Sequence, residues 1–209
     1  MAEPAWKFPL TPATESDLDD LPEGWKGQIV GGKLYAFPRP AGRHLEAATD
    51  LAGLLVPPFR FGQGGPGGWV ILAEAEVRFG ADLLIPDLAG WRRERYALPE
   101  KGSAYTVRPD WVCELLSPST ARLDRIKKLP IYAQHGVPHA WIIDPGLQTL
   151  EVYRRQGRRW LLVESIEGAA TVRVEPFESL ALDLGLIWRR GRPDPNDFLA
   201  EEALAYGAP

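Results

Sequence analysis

Cysteine is almost missing from this chain. The 209 residues contain one, Cys113, set inside an apolar run. A disulfide framework within the chain and a cysteine-based zinc cluster are both excluded. Of the three histidines, His135 and His139 flank a helix end and a strand start and have no metal-ligand spacing of their own. Long hydrophobic runs are also missing. No segment approaches the roughly 20 apolar residues that a membrane span requires. Met1-Ala2-Glu3-Pro4 is not a basic stretch leading into an apolar one, so no signal peptide is read. A soluble cytoplasmic protein is the expectation. Positive charge is not in excess either. The net charge of -4 argues against a protein that coats nucleic acid constitutively, because such affinity comes mostly from Lys and Arg neutralising phosphates. Local basic patches remain at Arg92, Arg93 and Arg95, at Arg154, Arg155, Arg158 and Arg159, and at Arg189, Arg190 and Arg192. Each reads first as a solvated loop or turn.

What is present is enough for one compact domain with a single sizeable core. Residues 1–22, rich in Pro, Ser, Thr and Asp, read as an arm with one helical turn near Glu15–Leu21. Gln28-Ile29-Val30 and Lys33 to Phe37, joined by Gly31-Gly32, form a hairpin, since paired glycines suit the positive φ angles of a tight turn. A helix follows from about Gly42 to Leu55 with Leu45, Ala48, Leu51, Ala52 and Leu55 as its apolar stripe. Pro57-Pro58 is expected to end it. Five glycines from Gly62 to Gly68 make a loop, but no Gly-Lys-Ser/Thr follows, so a nucleotide-binding P-loop is a poor match.

Strands are expected at Trp69–Phe79, at Leu83–Trp91 and at Asp110–Leu116. After a capping turn at Ser117–Thr120, a helix runs to about His135, stopped by Gly136 and Pro138. Strands at Ala140–Asp144, Thr149–Arg154, Trp160–Ser165 and Thr171–Val174 come next, and a helix from Pro195 to Tyr206 closes the chain. Strands interleaved with helices and followed by a hairpin run give an α+β, mixed-sheet domain. Its expected bounds are 23–190, with 1–22 as an N-terminal arm and 191–209 as a helical tail.

Three separated pieces carry chemistry: Ile85-Pro86-Asp87, the run Trp111 to Leu116 with Glu114 at its centre, and Lys128 on the following helix. Ionised side chains rarely sit in apolar segments unless paired or bound to metal. Two carboxylates and a lysine suit metal-dependent phosphodiester hydrolysis. Mg²⁺ takes oxygen ligands, usually one or two carboxylates with waters and substrate phosphate. Asp87 and Glu114 would supply them, with the backbone carbonyl of Leu115 as a third ligand. Lys128 would orient the attacking water or offset developing charge. Each residue also has a plainer reading. Asp87 after Pro86 suits an edge-strand bend, and Glu114 suits a buried ion pair. Lys128, four residues from both Asp124 and Tyr132, suits an exposed helix pair contributing about 0.3–0.5 kcal/mol. Only the three together distinguish a site.

The chain resembles the Uma2 family of restriction-endonuclease-like proteins, within the PD-(D/E)xK nuclease superfamily. The resemblance is carried by Ile85-Pro86-Asp87 with Gly90-Trp91 and by Glu114 through Ser117-Pro118-Ser119-Thr120. Further on it is carried by Asp124-Arg125, Lys128, Tyr132-Ala133, Gly136-Val137-Pro138-His139 and Trp141 to Asp144-Pro145. Upstream, Gln28 to Gly32, Arg39-Pro40 and His44 contribute, and the whole spans roughly residues 24–190. The resemblance implies a restriction-endonuclease-like core, with a central mixed sheet flanked by helices. It further implies DNA cleavage dependent on Mg²⁺ (or Mn²⁺), and Asp87 and Glu114 as metal ligands. The superfamily lysine normally sits two residues after the glutamate, where this chain has Leu116. Lys128 on the next helix takes that role, with adjacent Lys127 ranked second because it projects about 100° away.

Gln28 stands where the family often has Glu. His44 and Glu46, on a helix that in the superfamily often faces the active site, are candidates to line it. Glu74 and Glu76, on one strand face, are further candidates or else solvated residues. Ser117 and Tyr132 complete the candidate lining. Superfamily endonucleases are often homodimers, because a duplex needs two cuts. Two other readings stay open. One is a non-catalytic binding or regulatory module of the same fold. The other is a protein-interaction domain dimerising through aromatics among the eight tryptophans.

Overall fold

A computed structural model describes residues 12–38, 42–100 and 102–188. The expected tail at 191–209, with its helix, lies outside the described residues, as do residues 1–11 of the arm. The chain begins with α1 (Ser16–Asp19), the hairpin β1 (Trp25–Val30) and β2 (Lys33–Pro38), and α2 (Arg43–Leu55). Next come β3 (Trp69–Ala73), β4 (Val77–Phe79), β5 (Asp82–Leu84), β6 (Leu88–Arg92) and β7 (Trp111–Leu115). Helices α3 (Ala121–Leu123) and α4 (Leu129–Gln134) follow. Last are β8 (His139–Asp144), β9 (Thr149–Gln156), β10 (Arg159–Glu167), β11 (Thr171–Val172) and β12 (Leu182–Asp183).

The large sheet has the order β10-β9-β8-β7-β6-β3, and only β7 and β8 run parallel. A smaller antiparallel sheet has the order β2-β1-β5-β4. The mixed α+β architecture expected from the sequence is present.

Side chains on the large sheet alternate between two cores. Trp111, Cys113 and Leu115 of β7, with Trp141 and Ile143 of β8, meet Ala47, Leu51 and Leu55 of α2 and the segment holding Val174 and Phe177. Val112 of β7, with Ala140 and Ile142 of β8, meets Leu123, Leu129 and Tyr132 of the α3–α4 layer and the small sheet. The period of two along a strand therefore puts Glu114 on the second face, against α3–α4.

Three expectations need correction. Pro57-Pro58 do not end the helix. The chain continues through a π-helical turn, Val56–Arg60, because a wider turn spares the proline rings the carbonyls they would strike in an α-helix. The stretches 69–79 and 83–91 are not single strands. Each breaks and switches sheet: β3 and β6 pair in the large sheet, whereas β4 and β5 pair in the small one. Pro86, lacking an N–H, falls at the second break. The first break turns at Glu74, which has φ 50°. Glu74 and Glu76 consequently lie in a bend between two strands rather than along one strand face. The expected strand at Thr171–Val174 is formed only at Thr171–Val172.

Residues 12–22 lie along β1. A Cβ on Gly27 would come within 2.6 Å of Leu18 and Leu21 methyl carbons, and Glu15 pairs with Arg78 at 2.8 Å.

Phe177 ties the first core together. Its ring centroid lies 4.6 Å from Phe59, 4.9 Å from Trp69, 4.9 Å from Trp111 and 5.5 Å from Trp141. Phe177→Ala is expected to lower stability by about 3–5 kcal/mol in urea unfolding at neutral pH. A loss under about 1 kcal/mol would show that the four rings close without it.

Candidate active site

Asp87 stands at the joint where the chain leaves the small sheet for the large one. Three hydrogen bonds fix that joint. The Ile85 amide donates to Gln28 Oε1 at 2.9 Å, the Glu74 amide to the Asp87 carbonyl at 3.0 Å, and the Leu115 amide to Asp87 Oδ2 at 2.7 Å. Since Leu88 pairs with Cys113 across β6 and β7, Asp87 falls beside Glu114. The Asp87 carboxylate takes the place of a ladder carbonyl for Leu115.

Glu114 is fully buried, and the structure supplies the partners that its neighbours in sequence do not. Lys128 Nζ donates to Glu114 Oε2 at 2.7 Å, and the Tyr132 hydroxyl to Oε1 at 2.5 Å. Both donors come from one helical stretch in which a π turn, Asp124–Lys128, separates α3 from α4. Pro130 sits at the start of α4, and the wide turn before it keeps a carbonyl clear of its ring. The same turn buries Asp124, whose Oδ1 lies 3.1 Å from Lys128 Nζ. The third acceptor for the ammonium is the Ile85 carbonyl at 3.2 Å. An exposed Asp124–Lys128 helix pair is thereby ruled out: side-chain exposure is 4% and 2%.

His44, near the start of α2, enters from the other layer. Its Nε2 lies 3.3 Å from Asp87 Oδ1, and its Nδ1 is buried with no hydrogen-bond partner among the described residues. At 12% and 17% side-chain exposure, His44 and Asp87 form the mouth of the site, while Glu114, Asp124 and Lys128 form its floor.

Three carboxylates surround one ammonium, and the titration of the group follows. The Glu114 pKa is raised to about 8: burial raises it most, Lys128 opposes, and the charges of Asp124 and Asp87 add to the rise. Asp124 is raised for the same reasons. Burial acts to lower the Lys128 pKa, but Glu114, Asp124 and Asp87 outweigh it and hold the ammonium charged. Burial also acts to lower His44, and the hydrogen bond and charge of Asp87 reverse it, leaving its pKa raised.

Thus Asp87, Glu114, Leu115, Lys128, Tyr132 and His44 come together. Gln28 touches the joint from behind through Ile85. The side chains of Glu74, Glu76 and Ser117 make contacts of their own. Glu74 pairs with Lys26, and Glu76 accepts from Ser103. Ser117 bonds Ser119 and Thr120 at the start of the helix. Glu46 is half-buried on α2. Asp124 is the member that sequence reasoning set on the surface. The apolar Leu123 and Leu129 around it, both buried, are the signal that pointed inward.

The donor set fits a hard divalent cation. Its carboxylate oxygens, from Asp87, Glu114 and Asp124, lie about one lysine. No three His, Cys, Asp or Glu side chains among the described residues hold a metal by themselves. A hydrated Mg²⁺ does not require them, because it uses one or two carboxylates and keeps its waters.

A large central mixed sheet with few helices makes this an α+β protein of the same fold as a solved nuclease-family structure. The chain belongs to the Uma2 family, described as "Putative restriction endonuclease", whose model matches residues 15–185. It is also similar to the crystal structure of "a putative nuclease belonging to DUF820" from Anabaena variabilis. That match has 26% sequence identity and a TM-score of 0.67, over 84% of this chain and 98% of the other. No curated protein matches the chain.

The raised Glu114 pKa has a consequence for stability. Its ordinary value is 4.5, so between that value and about 8 the folded state holds more protons than the unfolded one. Stability from this group is full below the lower value and is lost as pH rises through the upper one. Glu114→Gln keeps an acceptor for Lys128 and removes the titration. The variant is expected to show a flatter dependence of melting temperature on pH across pH 5–8 than the wild type. Parallel curves would mean that Glu114 ionises normally.

Proposed function

We propose that the protein is an endonuclease that hydrolyses DNA phosphodiester bonds with Mg²⁺, or Mn²⁺ in its place. The observation that carries this reading is the convergence of Asp87, Glu114 and Lys128 at one strand joint. The family match and the nuclease neighbour support it. No helix of the described residues is long and apolar enough to cross a membrane.

Asp87, Glu114 and the Leu115 carbonyl would hold the ion. When bound, the ion supplies a water of lowered pKa and stabilises charge at phosphorus. Lys128 and Tyr132 hold the two oxygens of Glu114 in fixed positions, where the carboxylate would meet an ion. Lys128 also offsets part of the negative charge on the floor. Asp87 is aligned by the Leu115 amide, and His44 at the mouth presents an imidazole next to the place where a phosphate would arrive.

One observation favours a second reading, a non-catalytic module of the same fold. All three hydrogens of the Lys128 ammonium have fixed acceptors in Glu114, Asp124 and Ile85. That is the condition of a structural ion pair.

Nicking of supercoiled plasmid in Mg²⁺ or Mn²⁺ separates the two. Asp87→Ala and Glu114→Gln should each reduce nicking on the order of a hundredfold or more while the circular dichroism spectrum is retained. Isothermal titration of metal into the wild type should show binding that Asp87→Ala loses. Absence of both nicking and metal binding in the wild type would establish the non-catalytic module.

A further inference from the structure

Away from the carboxylate site, beyond the C-terminal end of α4, the Arg108 side chain lies against the turn Gly136-Val137-Pro138, with the backbone of Arg155 bonded to that turn and the Arg95 guanidinium bonded to the backbone of Arg108. Arg108 lies against Gly136, where a Cβ would stand 3.4 Å from Arg108 Nε. Arg155 is anchored to the same turn by its amide, which donates to the Pro138 carbonyl at 2.8 Å. Arg95 reaches the Arg108 carbonyl through Nη2 at 3.4 Å.

The three have unequal partners. Arg95 pairs with Asp110, and Arg155 Nη1 donates to the Gly157 carbonyl. Arg108 Nη1 is buried and has no acceptor among the described residues. Asp110 pairs with Arg95 and also acts on Arg108. The repulsion registers on Arg108, whose pKa is lowered by burial and then by Arg95 and Arg155, with Asp110 opposing. A buried donor without an acceptor costs about 1–3 kcal/mol, and a positive cluster adds repulsion to that cost. Both are relieved by an anion with several oxygens. Guanidinium forks match phosphate geometry better than any other side chain does.

We propose that Arg108 and Arg155, with Arg95 beside them, form a binding site for a phosphate of a polynucleotide backbone, distinct from the carboxylate–lysine site. From Lys128 to the end of α4 at Gln134 the helix rises roughly 9 Å at 1.5 Å per residue. The site would hold a strand at a phosphate away from the one being cut. This rests on the nuclease reading for its choice of polynucleotide over free phosphate, and the experiment keeps the two apart.

The full-length wild type, Arg108→Gln/Arg155→Gln and Asp87→Ala are compared in EDTA, where no metal bridges protein and DNA. Fluorescence anisotropy with a labelled 20-base-pair duplex is followed across a salt series. Thermal melting is recorded with and without inorganic phosphate. The double variant is expected to bind duplex about tenfold or more weakly. Its slope of log affinity against log salt should be smaller by about one or two, roughly one for each phosphate no longer neutralised. Its melting temperature without phosphate should be equal to or above that of the wild type, because repulsion has been removed. Asp87→Ala should keep the wild-type slope. Equal affinity and slope in wild type and double variant would overturn the proposal. So would a wild type stabilised by inorganic phosphate through these arginines without any arginine-dependent duplex binding, since that identifies a free-anion site. Loss of nicking is read separately on Asp87→Ala, so failure of the nuclease and failure of this site give different results.

Discussion

Everything at the candidate site depends on one ammonium buried among three carboxylates. Lys128 is enclosed by Glu114, Asp124 and the Ile85 carbonyl, with Asp87 close enough to raise its pKa as well. Taking such charges out of water costs several kcal/mol per ion, and well-packed apolar side chains of similar volume often stabilise a core more. The surroundings offered that option: Val112, Leu116, Ala140 and Ile142 share the face. A fold that spends stability here holds a constellation that an apolar core would not require. Removing either partner leaves an unpaired charge in a dry layer. The fold around β7 is therefore coupled to the charge state of its own floor.

The site is also where the architecture changes direction. Asp87 closes the segment Ile85-Pro86-Asp87, which carries the chain from β5 in the small sheet to β6 in the large one. A proline cannot extend the ladder, so the strand breaks there and the carboxylate of the next residue takes over a ladder position at Leu115. Gln28 and the Glu74 amide hold the break from the side of the small sheet. Helix α2 brings His44 from one layer, and the α3–α4 stretch brings Lys128 and Tyr132 from the other. Elements from three layers thus meet at one break in the strand.

Much of this is legible in the sequence, and the reasons it fails elsewhere are local. Glu114 stands out because apolar residues flank it on both sides, and Asp87 because Pro86 marks a break. Lys128 becomes convincing only beside them. Asp124 misleads, since spacing of i and i+4 normally describes a solvated helix pair. A π turn and a tight apolar layer turn that pair inward. Glu74 and Glu76 mislead because alternation through 69–79 mimics one strand. The bend rests on a glutamate with positive φ, where a glycine would have announced it. Arg108 carries no sequence signal at all. Its significance is the absence of an acceptor, and that is a property of three dimensions.

Net charge shows the same limitation on a larger scale. The overall value of -4 points away from nucleic acid, yet the charge is sorted in space. Before α4 three carboxylates lie about Lys128, and beyond its other end Arg108 lies near Arg95 and Arg155 with Asp110 between charges. A diester strand approaching the first end alone would meet repulsion until a cation intervened. Attraction at the second end acts within a Debye length of roughly 8–10 Å at ordinary salt, so it would guide the strand only once it was already close. In that sense the acidity of the whole chain and the arginines of one turn are complementary parts of one electrostatic arrangement.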